Sequence, residues 1–135
     1  MARKGWWRIR AVWGLLLAAS LACSVSFSTA RIESAHLATD EAGTNETDVF
    51  GPQDTIYLIV ELASAPDDTT TRAVWTAVEV EGADPNTQIG EYELESGSGT
   101  LTFTLEPETA WPMGAYQVVI YLNDDEKETL EYRVA

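Results

Sequence analysis

The sequence is poorest in the residues that usually carry chemistry: its 135 positions include one cysteine, Cys23, and one histidine, His36. A lone thiol cannot close an internal disulfide, so the fold must hold together without one. No serine nucleophile elbow, P-loop, HExxH pair or glycine-rich dinucleotide turn occurs. Basic residues are scarce as well, eight Lys and Arg against 22 Asp and Glu, and four of the eight lie in the first ten residues. After Cys23, four bases face all 22 acids, a net charge of −18. Such a field repels nucleic-acid phosphates and anionic lipid surfaces, which excludes DNA or RNA as a partner. The acids read as a solvated coat, because no like-charge block exceeds Asp124, Asp125 and Glu126. Internal repeats are missing, and so is sustained helical periodicity beyond residue 30.

What is present begins with a basic stretch, Arg3, Lys4, Arg8 and Arg10, followed by the uncharged apolar run AVWGLLLAASLA that ends at Ala22. A basic n-region ahead of a short h-region is the pattern of a signal peptide. The segment "LAASLACS" then resembles the lipobox of bacterial lipoproteins, with Ser20 where that box usually has leucine. The resemblance implies that Cys23 is lipidated and becomes the new N-terminus. Residues 1–22 are then a signal peptide. The alternative is a membrane-anchor helix over residues 11–30, since no charge falls between Arg10 and Arg31 and that length suits a bilayer. Either way the bases stay inside and the remainder lies outside, an extracytoplasmic location. Residues 23–30, small and polar, make a tether.

Residues 31–135 have the size of one domain with one modest core. Arg31–Ala38 alternates Ile32, Ser34 and His36 against Glu33, Ala35 and Leu37, and residues 39–48 read as a loop. Residues 54–63 set Ile56, Leu58, Val60 and Leu62 on one face and Tyr57, Ile59 and Glu61 on the other. In residues 71–82 the register is chosen by Trp75, expected inward beside Ala73 and Ala77, with Val74, Val78 and Val80 outward. Residues 89–95 and 100–106 flank the glycine turn SGSG and are expected to form a hairpin. Two further strands, over 115–123 and 128–135, bring the count to about seven. Turn signals every ten to fifteen residues predict an all-β, antiparallel sandwich.

Two local features resemble immunoglobulin-like or fibronectin-III-like domains: Trp75 in the third strand, and "PMGAYQVV", in which Gly114 and Tyr116 open the penultimate strand as in a tyrosine corner. Val118 stands where an antibody domain has its second cysteine, so apolar packing must replace that bridge. The arrangement after Asp48 is similar to secreted or lipid-anchored Ig-like domains of environmental bacteria, Chloroflexi among them. That resemblance implies a fold and an address and transfers no catalytic residue.

Candidate sites follow from what remains. His36 reads as a surface strand residue, and no cofactor is expected. Tyr57, Tyr121, Tyr92 and Trp111 could offer aromatic faces to a sugar or a protein. Tyr57 and Tyr121 should point outward if Ile56 and Ile120 point inward, and Trp111 beside Pro112 should plug one end of the sandwich. No metal site is expected, the candidates for one being loop aspartates, Asp67 and Asp68 in one loop and Asp124 and Asp125 in another. These readings predict a non-catalytic, membrane-anchored Ig-like binding or structural module of the cell envelope, meeting an envelope protein or a glycan. The alternative is a carbohydrate-binding or calcium-dependent adhesion module.

Overall fold

The computed structural model describes residues 29–135, so Cys23 and the expected signal peptide lie outside the described residues; of the expected 11–30 anchor helix and 23–30 tether only Thr29 and Ala30 are described, neither is helical, and Ala30 packs into the core. Eight strands follow in order: β1 (Arg31–Ala38), β2 (Val49–Phe50), β3 (Ile56–Ala63), β4 (Thr69–Val80), β5 (Thr87–Ser96), β6 (Gly99–Leu105), β7 (Gly114–Leu122) and β8 (Asp125–Val134). They form two sheets, β1-β3-β6 and β2-β8-β7-β4-β5. Every neighbouring pair is antiparallel except β2 with β8. The expected two-layer, all-β architecture is there. Its eighth strand is β2, two residues too short to show a period in sequence.

The core lies between the sheets, on the faces that the alternation marks. Ile56, Leu58, Val60 and Leu62 of β3 meet Ala73, Trp75 and Ala77 of β4 and Tyr116, Val118, Ile120 and Leu122 of β7, all buried. Trp75 is fully buried, as its small neighbours imply. Around it Tyr132 stands edge-on at 6.1 Å, stacks on Tyr116 at 5.1 Å and meets Phe50 edge-on at 5.6 Å. Val118 pairs across from Trp75 and is fully buried. The Tyr116 hydroxyl donates to the Pro112 carbonyl at 2.5 Å, tying the start of β7 to the loop before it.

Three expectations are corrected. Residues 89–95 and 100–106 are not a hairpin: β5 pairs only with β4 and β6 only with β3, so the short turn between them crosses from one sheet to the other. In β1 a register shift between Ile32 and Ser34 turns Ile32 toward the core with Ala35 and Leu37. A second shift, between Ala77 and Glu79, brings Val80 back against the core rather than leaving it with Val74 and Val78. An extra residue in a strand inverts the faces beyond it.

The two ends differ. Thr29 Oγ1 donates to the Ser64 carbonyl at 2.7 Å and Arg31 bonds the Ser64 hydroxyl at 3.0 Å, so the chain enters beside the β3–β4 connection. Asn123, in the β7–β8 turn, accepts from the Thr70 amide at this same end. Strand alternation puts residues 39–48, 81–86 and 106–113 at the opposite end. Because the two sheets have three and five strands, they close unequally, with β5 and β6 as the edges of one flank and β1 and β2 as those of the other.

Candidate functional site

The open flank is built by β5, which runs from the far end at Thr87 to the entry end at Ser96. Tyr92 and Leu94 pair with Ala73 and Thr71, whose side chains face the core, so both belong to the core face of the larger sheet. No opposing strand covers them there, and they remain 46% and 40% exposed. Gly90 makes room at the head of this face: a Cβ there would stand 3.3 Å from Leu105 and 3.2 Å from the Tyr92 ring. The result is a cleft of about 430 Å³ lined by Val80, Ile89, Tyr92, Leu105 and Trp111, with Glu106 and Glu108 also in its wall.

Trp111, expected to plug one end of the sandwich, is half-buried in the wall of this cleft and held there by hydrogen bonds. Its indole N–H donates to the Asp54 carbonyl at 2.7 Å and its backbone N–H to the Pro52 carbonyl at 2.8 Å. What it offers the cleft is a ring already oriented. Of the four aromatic candidates, then, Tyr92 and Trp111 line one surface. Tyr57 and Tyr121 point outward on opposite sheets and form no common platform. Tyr121 is also capped, with the Arg72 guanidinium 4.1 Å from its ring centre. Arg72 reaches Glu91 at 3.4 Å and Asp124 at 3.6 Å as well. Sequence reasoning missed Leu94, Glu106 and Glu108. Leu94, alternating with glutamates, looks like any core-facing strand residue until the missing strand opposite is known.

Asp67 and Asp68 lie at the β3–β4 connection, and Asp124 and Asp125 at the β7–β8 turn near the same end. Among the described residues no three His, Cys, Asp or Glu side chains gather as a cation site. Asn123 and Asp124 both have positive φ, 49° and 71°, which is what a two-residue type I′ hairpin turn requires. Turn chemistry accounts for Asp124 there.

On the other flank, a cleft of about 550 Å³ between β1 and β8 gathers His36 with Glu46, Asp48 and Glu131. The loop over residues 39–48 is fixed by Asp40, which accepts from the Thr44 hydroxyl at 2.5 Å and the Asn45 amide at 2.8 Å. Those bonds, the Thr44 hydroxyl foremost, hold the Asp40 carboxyl below the usual carboxylate range. Gly43 of this loop lies close against His36 and Ile59. There His36 Nε2 meets the Gly43 carbonyl at 3.0 Å, and none of the three carboxylates bonds it. The imidazole thus pins a loop, and Ile59, on the outer face, is buried beneath it.

No protein-family model and no curated protein matches the chain. Among solved structures it is similar to the Pseudomonas fluorescens alkylpurine DNA glycosylase AlkC bound to DNA containing an abasic site analog, at a TM-score of 0.53 and 14% identity over 79% of this chain and 30% of that one. A Bifidobacterium adolescentis GH3 beta-glucosidase gives a TM-score of 0.49 and 16% identity over 82% of this chain and 18% of that one. A superoxide reductase (neelaredoxin) from Ignicoccus hospitalis gives 0.39 and 17% identity over 78% of each chain. The chain spans less than a third of the first two proteins. At 14% identity the first likeness is one of fold alone.

Proposed function

We propose that the chain is a non-catalytic, Ig-like binding module tethered through its N-terminus outside the cell, with Cys23 as the lipidated residue or, as the alternative, a span that starts at residue 11 and ends before Thr29, which is bonded into the domain. The observation that carries this reading is the separation of the ends: the chain enters beside Ser64, while the exposed aromatic and apolar cleft opens at the far end. A tether at the entry leaves that cleft free to meet a partner.

The Ig-like assignment is supported by the strand order. Read as immunoglobulin strands, β1, β3 and β6 correspond to A, B and E, and β8, β7, β4 and β5 to G, F, C and an added C′. The buried Trp75 then falls on strand C and the Tyr116 corner at the start of strand F. A non-catalytic role is supported by His36, whose Nε2 is committed to the Gly43 carbonyl. The DNA that the glycosylase binds is not carried over to this chain, because 22 acids oppose phosphate binding.

Replacing Cys23 with alanine tests the tether. Loss of a lipid-sized mass, with release from membranes or accumulation of precursor, supports acylation. Unchanged mass with membrane retention supports the span, and an intact chain free in the cytosol overturns both. A second reading, carbohydrate binding, is favoured by Tyr92 and Trp111 lining one cleft with Glu106 and Glu108, since aromatic faces stack on sugar rings and carboxylates accept from hydroxyls. Quenching of Trp111 emission by neutral oligosaccharides tests it.

A further inference from the structure

β5 is the last strand of its sheet, hydrogen-bonded only to β4. In an antiparallel edge strand, the N–H and C=O groups of alternate residues point away from the sheet and can template another strand. Natural edges are commonly blunted by charge, by proline or by brevity. β5 runs ten residues, Thr87–Ser96, without proline. Its two faces have opposite character: Tyr92 and Leu94 lie exposed on the core side, and Glu91, Glu93 and Glu95 lie on the outer side.

We infer that β5 docks an extended segment of a partner protein by strand addition, a segment that alternates apolar residues with lysine or arginine. The backbone of such a segment would complete the β5 ladder. Its apolar side chains would cover Tyr92 and Leu94, and its cations would lie opposite Glu93 and Glu95, Glu91 being already paired with Arg72. Charge selects this occupant over a second copy of the chain. Two β5 strands paired antiparallel would set glutamate against glutamate along the outer face, and like charges directly opposed are destabilising. The domain's large negative charge works in the same direction, repelling a copy and drawing in a basic segment. This inference rests on the binding-module reading and names its partner class; it does not depend on how the chain is anchored.

The test titrates the full chain, in detergent micelles, with an end-blocked octapeptide alternating valine and lysine, and follows affinity and amide hydrogen exchange. Binding is expected to slow exchange at alternate amides of Thr87–Ser96. It should be at least tenfold tighter than for a valine–glutamate counterpart, or for a peptide of identical composition with its lysines in one block. The paired change Glu93→Lys and Glu95→Lys should reverse the preference between the lysine and glutamate peptides. An unchanged melting temperature would show that this exposed double variant is folded. Equal binding of the block peptide would reduce the effect to bulk charge and overturn the inference. So would peptide binding that leaves β5 amides unprotected, or a neutral oligosaccharide occupying the flank while the peptide does not bind. Concentration-dependent protection of β5 without peptide would assign the edge to a second copy, again overturning it. None of these outcomes alters the membrane partition of the Cys23→Ala chain, so the tether reading stands or falls separately.

Discussion

Tyr116 and Tyr132 stack 5.1 Å apart in the same core, yet their hydroxyls differ in circumstance. That of Tyr116 donates to Pro112, while that of Tyr132 is buried with no hydrogen-bond partner among the described residues. A buried hydrogen bond contributes about 1 kcal/mol net, whereas an unmatched hydroxyl contributes none and carries its desolvation cost. Tyr116→Phe should therefore lower stability by about 1 kcal/mol, and Tyr132→Phe should leave it unchanged or raise it, both read from denaturant midpoints. The phenols also set a pH limit. Burial raises the pKa of both above the ordinary value of 10, and that of Tyr132 is raised further by neighbouring Tyr116. A raised folded-state pKa means that the unfolded chain loses its proton first. The contribution is thus intact below pH 10 and drains away as pH rises through the folded-state values. Unfolding free energy should accordingly be flat with respect to these groups up to about pH 10 and fall above it. Tyr132→Phe should flatten that fall, since one of the two buried phenols is gone.

The strands themselves show how far sequence reading reaches. Faces were legible wherever a strand alternates without interruption, as in Ile56–Leu62 and Tyr116–Leu122, because burial on one side of a sheet has a period of two. Bulges were not, since an extra residue such as Glu33 or Val78 leaves no mark on hydrophobicity. The turn SGSG misled for a related reason: alternation around a glycine turn is the same whether the chain folds back in one sheet or steps across to the other. The candidate site was half legible. Aromatic residues could be picked out singly, but Tyr92 and Trp111 line one cleft because β5 overhangs a three-stranded partner sheet. At the element scale Gly114 gives a sharp test. It has φ +145°, and a Cβ there would collide with the Glu79 carbonyl oxygen and stand 2.7 Å from Val80 Cα, both backbone atoms. Backbone on the neighbouring strand cannot yield as a flexible side chain can. Gly114→Ala should thus cost more than about 1 kcal/mol and lower the melting temperature, whereas most glycine-to-alanine changes at compatible sites stabilise.

Across the whole molecule the dominant force outside the core is self-repulsion among acids. With four bases against 22 acids after Cys23, most carboxylates have no cation to pair with; among the described residues Arg72 reaches two of them, Glu91 and Asp124. Repulsion spread over a surface is long-ranged at low ionic strength and is screened within about 10 Å at 0.1 M salt. Raising sodium chloride from 10 mM to 0.5 M should therefore raise the melting temperature by a few degrees, corresponding to about 1 kcal/mol for a domain of this size. Potassium chloride should act identically, because screening depends on ionic strength and not on the identity of the cation. Calcium separates screening from binding. A specific site stabilises by mass action, growing with the logarithm of calcium concentration once the dissociation constant is passed. The aspartates at the entry end, Asp67, Asp68, Asp124 and Asp125, gather no third ligand into a cation site, and Asp124 already reaches Arg72. Millimolar calcium should thus add nothing beyond sodium chloride of equal ionic strength, as read by the melting temperature of the full chain. An excess shift abolished by Asp67→Asn with Asp68→Asn would instead assign these loops a calcium-dependent role and place a second binding surface at the tethered end.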